Sequence, residues 1–316
     1  STMPADLGWN FEPKRFSYVR CNKCGLLYIN PRPRSEHLFE YYNEETIQEN
    51  EIVDGHVSSY FHNYNLGEKS HIKNALAELK KIKKYKKKGK LLEIGCASGF
   101  FLNEAKKQGY DVYGVEPSEN FANYAKNTLG LKVLLGELEY NSFKKNYFDV
   151  IVHFDLISHL TSPRETFTII NRLLKPGGLH YFKTGNKGEL LKKEQGEKGE
   201  VWGVPEHLYH FSRKNIKYLL EETGFESKKV IISANLSKML FHSRINNSIS
   251  GGEKDKTPNP SFQKKSLIKY ILHSPIIFPL YRYFREDRFL WEKLGAIAAF
   301  IIRPLSSNIW IYSIKK

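Results

Sequence analysis

From residue 90 onward, short apolar runs bounded by glycine alternate with stretches whose apolar residues recur at helical spacing. The run Lys90 to Phe101, KLLEIGCASGFF, opens as a buried parallel strand, turns through Glu93, Gly95 and Gly99, and continues as a helix. Tyr110 to Glu116, YDVYGVE, predicts a second strand that ends in an acid. Leu131 to Leu135 predicts a third, stopping at Gly136 and Glu137, and Phe148 to Val152 a fourth inside FDVIVHFD. Pro163 to Leu174 carries Phe167, Ile170, Leu173 and Leu174 on one helix face, and Pro176, Gly177 and Gly178 stop it before a fifth strand, Leu179 to Lys183. A helix from Ser212 to Thr223 ends at Gly224 and leads to a sixth strand, Phe225 to Ile232; Asn308 to Ile314 predicts the seventh. The alternation predicts an α/β, doubly wound, Rossmann-like sheet of seven strands.

The first turn has the chemistry of a nucleotide cradle. Glycine lets backbone approach a ligand closely, and the amides opening the next helix carry partial positive charge. Glu116 follows the turn by about twenty residues, where doubly wound folds place a carboxylate for ribose hydroxyls. A nicotinamide-binding domain shares this logic, but here an acid stands inside the turn and the full GxGxxG is missing.

LLEIGCASGFF, the acid of YGVEPS, GELEYNSF, FDVIVHFDLISHL and RLLKPGG, in this order and spacing, resemble the class I S-adenosylmethionine-dependent methyltransferases over residues 88 to 234. CNKCGLLYINPRP upstream and WGVPEHLYHFSRKNIKYLLEETGF downstream resemble a bacterial subgroup that methylates sugars and other small metabolites. The resemblance implies S-adenosyl-L-methionine as cofactor. It places Glu93 and Gly95 at the methionine end, counts Cys96 and Ala97 among the cofactor-binding residues, and has Gly99 let the helix pack beneath. It places Glu116 at the ribose, with Pro117 also cofactor-binding, Glu137 and Leu138 at the adenine edge, and the segment His153, Phe154 and Asp155 alongside the cofactor. Ala97 departs from the glycine that the family often has there.

Methyl transfer is an in-line displacement that needs alignment and exclusion of water, and a hydroxyl acceptor must also lose its proton. A histidine near its ordinary pKa suits that task. His159 follows the fourth strand on the ligand-binding side of the sheet and is the first candidate base; His207, with His210, Trp202 and Tyr209 in WGVPEHLYHFS, is the second. His210 has an alternative reading as a cap of the helix near Ser212.

The organisation expected is an N-terminal CxxC segment over 1–38, a Tyr-rich lid and helix over 39–87, the core over 88–234, a basic and apolar helical insertion over 235–306, and a last core strand over 307–316. Tyr41, Tyr42, Tyr60 and Tyr64 suit either a cap over the pocket or packing on the sheet edge. Cys21 and Cys24 form one knuckle of a zinc ribbon with two ligands missing, so no metal site is assigned within the chain. A metal-free turn, a redox dithiol and completion by His37, His56 or a partner chain all stay open.

A chain of 316 residues, 41% hydrophobic, can bury a full α/β core. Lys and Arg number 49 against 34 Asp and Glu, a net charge of +15 that favours anionic partners. The lysine run KKIKKYKKKGK is explained by a helix C-terminus as well as by nucleic acid, and no RNA-binding module or NPPY signature accompanies it. A small metabolite is therefore the expected substrate, with RNA methylation and non-catalytic binding as alternatives. Three cysteines and no signal-peptide pattern suggest a cytoplasmic protein. No apolar run approaches the length of a membrane span, whereas Arg282, Arg285, Arg288 and Arg303 beside aromatic residues allow peripheral membrane contact or packing on the core. Oligomeric state is not legible.

Overall fold

The computed structural model describes residues 2–4, 15–33, 52–53, 56–57, 60–185, 207–233 and 308–316. Two compact units make up the chain: Ser1–Gly185 with Gly203–Ile231 and Trp310–Lys316, and Asn186–Trp202 with Ile232–Ile309. The helical insertion expected over 235–306 lies outside the described residues, as do Tyr41, Tyr42, Trp202 and the four arginines of that region.

The first unit opens with strands β1 (Thr2–Pro4), β2 (Arg15–Arg20) and β3 (Leu27–Asn30), followed by a two-residue ladder of β4 (Ile52–Val53) and β5 (His56–Val57). Helices α1 (Tyr60–Leu66) and α2 (Glu68–Ile82) lead into β6 (Gly89–Ile94), α3 (Phe100–Lys107) and β7 (Tyr110–Glu116). Next come α4 (Glu119–Asn123), a π-helical turn (Tyr124–Thr128), β8 (Lys132–Leu135), β9 (Phe148–Phe154), α5 (Pro163–Leu173) and β10 (Leu174–Gly185). The last elements are β11 (Tyr209–His210), α6 (Arg213–Glu222), β12 (Phe225–Ser233) and β13 (Asn308–Lys315).

Seven of these strands form one sheet in the order β12-β13-β10-β9-β6-β7-β8. Strand β6 pairs in parallel with both β7 and β9, so the chain winds outward from it in both directions. Such a switch point opens a crevice beyond the carboxyl ends of the strands. The seven strands match those predicted, with boundaries shifted by one or two residues except at β10. That strand begins at Leu174 because Leu174 is already extended, and Pro176 to Gly178 form an irregularity between the register at Leu174 and that at Leu179.

Period-two alternation sorts the core. Val150, Val152, Leu179 and Tyr181 face Leu79 and Ile82 of α2 and Phe101 and Leu102 of α3. The intervening His153, His180 and Phe182 face the opposite way, toward Phe167 of α5. Helix α5 buries Phe167, Ile170 and Leu173, the stripe read from the sequence. Ser212 and Asn215 form a reciprocal capping box that starts α6; Ser212, not His210, therefore caps this helix.

A second, four-stranded sheet, in the order β1-β2-β3-β11, was not foreseen. Its last strand is two residues, Tyr209 and His210, pairing antiparallel with Tyr28 and Leu27. The CxxC forms the β2–β3 turn, where the Gly25 amide donates to the Cys21 carbonyl and the Cys21 amide to Leu26, both at 2.8 Å. Asn215 donates its side-chain amide to the Cys24 carbonyl at 2.6 Å, tying this turn to the start of α6. No group of three or more metal-ligating residues occurs among the described residues. None of the described helices is long and apolar enough to cross a membrane.

Candidate active site

Glu93 leaves β6 pointing into the protein and is only 4% exposed. Its Oε2 has no hydrogen-bond partner among the described residues, and burial, assisted by the charge of Glu116, pushes its carboxyl well above the usual range. Gly95 turns the chain with φ of 69°, and its amide and that of Cys96 both donate to the Val115 carbonyl. The Cys96 thiol is buried at the foot of the turn, pushed up by burial and by the two glutamates. A side chain at Gly114 would lie 2.7 Å from that sulfur.

Ala97 takes up the left-handed conformation, φ 45°, and donates its amide to Glu116 Oε2 at 2.8 Å. Ser118 donates to the other oxygen, Oε1, at 3.0 Å. Glu116 thereby joins the turn after β6 to the turn after β7. Burial raises its carboxyl, and the two amides counteract the shift. Gly99 starts α3 at φ 78°, and a Cβ there would meet Leu131 Cδ1 at 2.6 Å and Ala125 Cβ at 3.2 Å. The π-helical turn and Leu131 press so close on this position that a side chain would force a shift, and the positive φ favours glycine as well.

The amides of Gly95, Cys96, Ala97 and Gly99 all have acceptors within the protein. These four turn amides are already satisfied, and beside them Glu93 Oε2 has no hydrogen-bond partner among the described residues. Pro117 lies between Glu116 and Ser118, and the Gly136 amide donates to the Glu116 carbonyl, bringing Glu137 and Leu138 alongside just past β8. The Glu137 carboxyl is raised by partial burial and by Glu139 and Glu165.

The two residues expected at the end of β9 lie on opposite faces of the sheet. The His153 ring stacks on Phe182 at 4.5 Å and is fully buried, while Phe154 meets Phe101 at 4.9 Å. What β9 presents along its own end at these positions is backbone. Asp155 pairs with Lys183 at 2.9 Å.

The loop after β9 meets the small sheet. The Leu208 amide donates to the Ser158 carbonyl at 2.8 Å, and the Leu208 carbonyl accepts from the Ile29 amide at 3.0 Å. Tyr18 donates to the His207 carbonyl at 3.0 Å. Tyr209 donates to the Thr161 carbonyl at 3.1 Å and accepts from Arg32, which also donates to Thr161. These bonds bring the rings of His159 and His207 to 4.9 Å, nearly perpendicular. His210 lies deeper, 4% exposed, against Tyr18. Sequence reading named the histidines but not Tyr18 or Arg32, because nothing local marks strands β2 and β3 as neighbours of this loop.

Residues 65–230 match the family described as a methyltransferase domain, and the chain belongs to that family. It is 31% identical over 160 residues to an uncharacterized protein of Methanocaldococcus jannaschii, a match covering 46% of this chain and 54% of that protein. It is also 31% identical over 106 residues to a ubiquinone biosynthesis O-methyltransferase of Coxiella burnetii, covering 32% of this chain and 45% of the relative. The chain spans about half the length of the curated relatives it matches. Among solved structures, a SAM-dependent methyltransferase from Archaeoglobus fulgidus superposes with a TM-score of 0.51 at 15% identity, over 80% of this chain and 100% of that one, which establishes the shared Rossmann-like fold.

Proposed function

We propose that this chain is an S-adenosylmethionine-dependent methyltransferase that acts on a hydroxyl of a small metabolite, such as a sugar or a glycan or lipid precursor. The observation that carries the reading is the pairing of buried Glu93 and Glu116 at the carboxyl ends of adjacent strands, one with an oxygen still lacking a donor. An ammonium satisfies Glu93, and a ribose diol satisfies the remaining lone pairs of Glu116.

When bound, S-adenosylmethionine supplies a methyl group already activated by sulfonium charge. The protein's own residues have three tasks. Glu93 and Glu116 fix the two ends of the cofactor, and the left-handed turn through Gly95 admits it to the backbone. The sheet of β2, β3 and β11 walls the acceptor side and keeps water out. His159 takes the proton from the acceptor hydroxyl, and His207 orients either that hydroxyl or the imidazole. The distant O-methyltransferase relative supports oxygen as the atom methylated.

The test is calorimetric binding of S-adenosylhomocysteine to the wild-type protein and to Glu116→Ala, followed by mass spectrometry of extracts incubated with labelled cofactor. The substitution should weaken binding by about 1 to 3 kcal/mol, the cost of leaving buried polar partners unpaired. Unchanged affinity would remove the ribose assignment. Methyl incorporation into RNA with steep salt dependence would replace the small-metabolite reading.

A further inference from the structure

Helix α1 touches both loops of the ligand site. Asn65, in its last turn, accepts a hydrogen bond from the Ser98 hydroxyl at 2.7 Å. Ser98 is fully buried and stands between Ala97 and Gly99, both in left-handed conformation. The Asn65 side-chain nitrogen donates to the Phe61 carbonyl at 2.8 Å, which fixes the amide with its oxygen toward Ser98.

Aromatic contacts extend the grip. Tyr64 stacks on His71 at 4.0 Å and lies parallel to Phe100, the first residue of α3, at 6.0 Å. Phe61 meets Phe121 edge-on at 5.1 Å, in the helix that follows Glu116. One short helix therefore contacts the chain just beyond the β6 turn and just beyond the β7 turn.

Ala97, whose amide donates to Glu116, is held in the left-handed conformation, which alanine disfavours. The turn does not select this conformation by its own residue preference, so contacts from outside must support it. Ser98 is the adjoining residue held from outside, and without Asn65 its buried hydroxyl would lose the acceptor seen here. We propose that Asn65 is a positioning residue for the cofactor: it holds Ser98, and through Ser98 it keeps the Ala97 amide on Glu116 before any ligand arrives. The inference rests on the cofactor reading above and extends it to a residue that touches neither carboxylate.

The experiment compares wild type, Asn65→Ala, Ser98→Ala and the double variant. Amide exchange of residues 97–100 is followed in the ligand-free proteins, with the dissociation constant for S-adenosylhomocysteine, turnover at saturating cofactor, and melting temperature. Each single variant should speed exchange at residues 97–100 and weaken binding by about three- to tenfold, the range for one net hydrogen bond. Turnover at saturation should persist, and the double variant should bind no worse than the weaker single. Ser98→Ala removes the bond without altering α1, so it decides the matter if Asn65→Ala fails to fold. Unchanged exchange, or losses that multiply in the double variant, would overturn the assignment. Failure of wild type to bind S-adenosylhomocysteine would instead defeat the cofactor reading, while exchange in the ligand-free proteins would still decide whether Asn65 holds the turn.

Discussion

The imidazoles of His159 and His207 approach to 4.9 Å, although one follows a strand of the central sheet and the other precedes a strand of the small antiparallel sheet. The two candidate bases thus lie side by side, and the proposed mechanism gives them separate tasks. His159→Ala should leave cofactor affinity nearly intact and lower turnover by roughly 10² to 10⁴, the range for a positioned acid or base. His207→Ala should act mainly on the Michaelis constant of the acceptor. Steady-state kinetics with cofactor titration separates the two, and the reverse pattern would transfer the base to His207.

Glu93 leads to a prediction about protons. Its carboxyl is raised well above the usual range by burial first and by Glu116 second, so the ligand-free protein holds a proton there over a pH range where an exposed glutamate has none. A cationic ligand group next to Oε2 favours the charged form and expels that proton. Calorimetry in buffers of different ionisation enthalpy should detect proton release on binding S-adenosylmethionine, and Glu93→Gln should abolish it. Equal heats in all buffers with wild type would refute this role.

Ala97 and Gly99 make opposite predictions from neighbouring positions. Ala97→Gly removes the cost of a left-handed alanine and should stabilise the protein by up to about 1 kcal/mol. Gly99→Ala places a methyl 2.6 Å from Leu131 at a positive φ and should destabilise by about 1 to 3 kcal/mol. Urea denaturation with both variants reads the signs directly.

His153 and His180 are fully buried, their ring centroids 5.2 Å apart, and none of their four ring nitrogens has a partner among the described residues. Burial depresses both, His153 to about 3 and His180 also through His153, from an ordinary value of 6.5. In the window between those values the unfolded chain binds more protons than the folded one. The stability present above pH 6.5 is therefore lost as pH falls toward 3, by at most about 1.4 kcal/mol per pH unit for each imidazole. His153→Phe and His180→Phe should flatten the acid limb of a stability-against-pH curve. An unchanged slope would show that the acid sensitivity lies elsewhere.

The central sheet was legible because its signals are local. Most of its strands are short apolar runs, glycine or proline closely follows α3, α5 and α6, and Ser212 stands where α6 begins. Glu93 and Glu116 were placed for the same reason, since spacing along β6 and β7 puts them at strand ends, and Gly99 since it stands where α3 begins. What escaped depends on distant pairing. Strand β11 is too short to carry a pattern, and it exists because Tyr209 and His210 find Tyr28 and Leu27. Asn65 has no motif of its own and matters only through Ser98. The burial of the His153 ring follows from strand alternation, which family spacing alone does not reveal.

The bonds from Ile29 and Tyr18 to the stretch His207–Leu208 also bear on how such a protein diversifies. On the function proposed above, the residues that hold the methyl donor lie within one continuous length, from α1 through β8, whereas the wall facing the acceptor is assembled from the amino-terminal hairpin and a stretch far downstream. An exchange of residues 15–33 between relatives would therefore alter which molecule is methylated while leaving donor affinity in place. On that reading, substrate range and donor recognition can change at different rates because they are written in different parts of the chain.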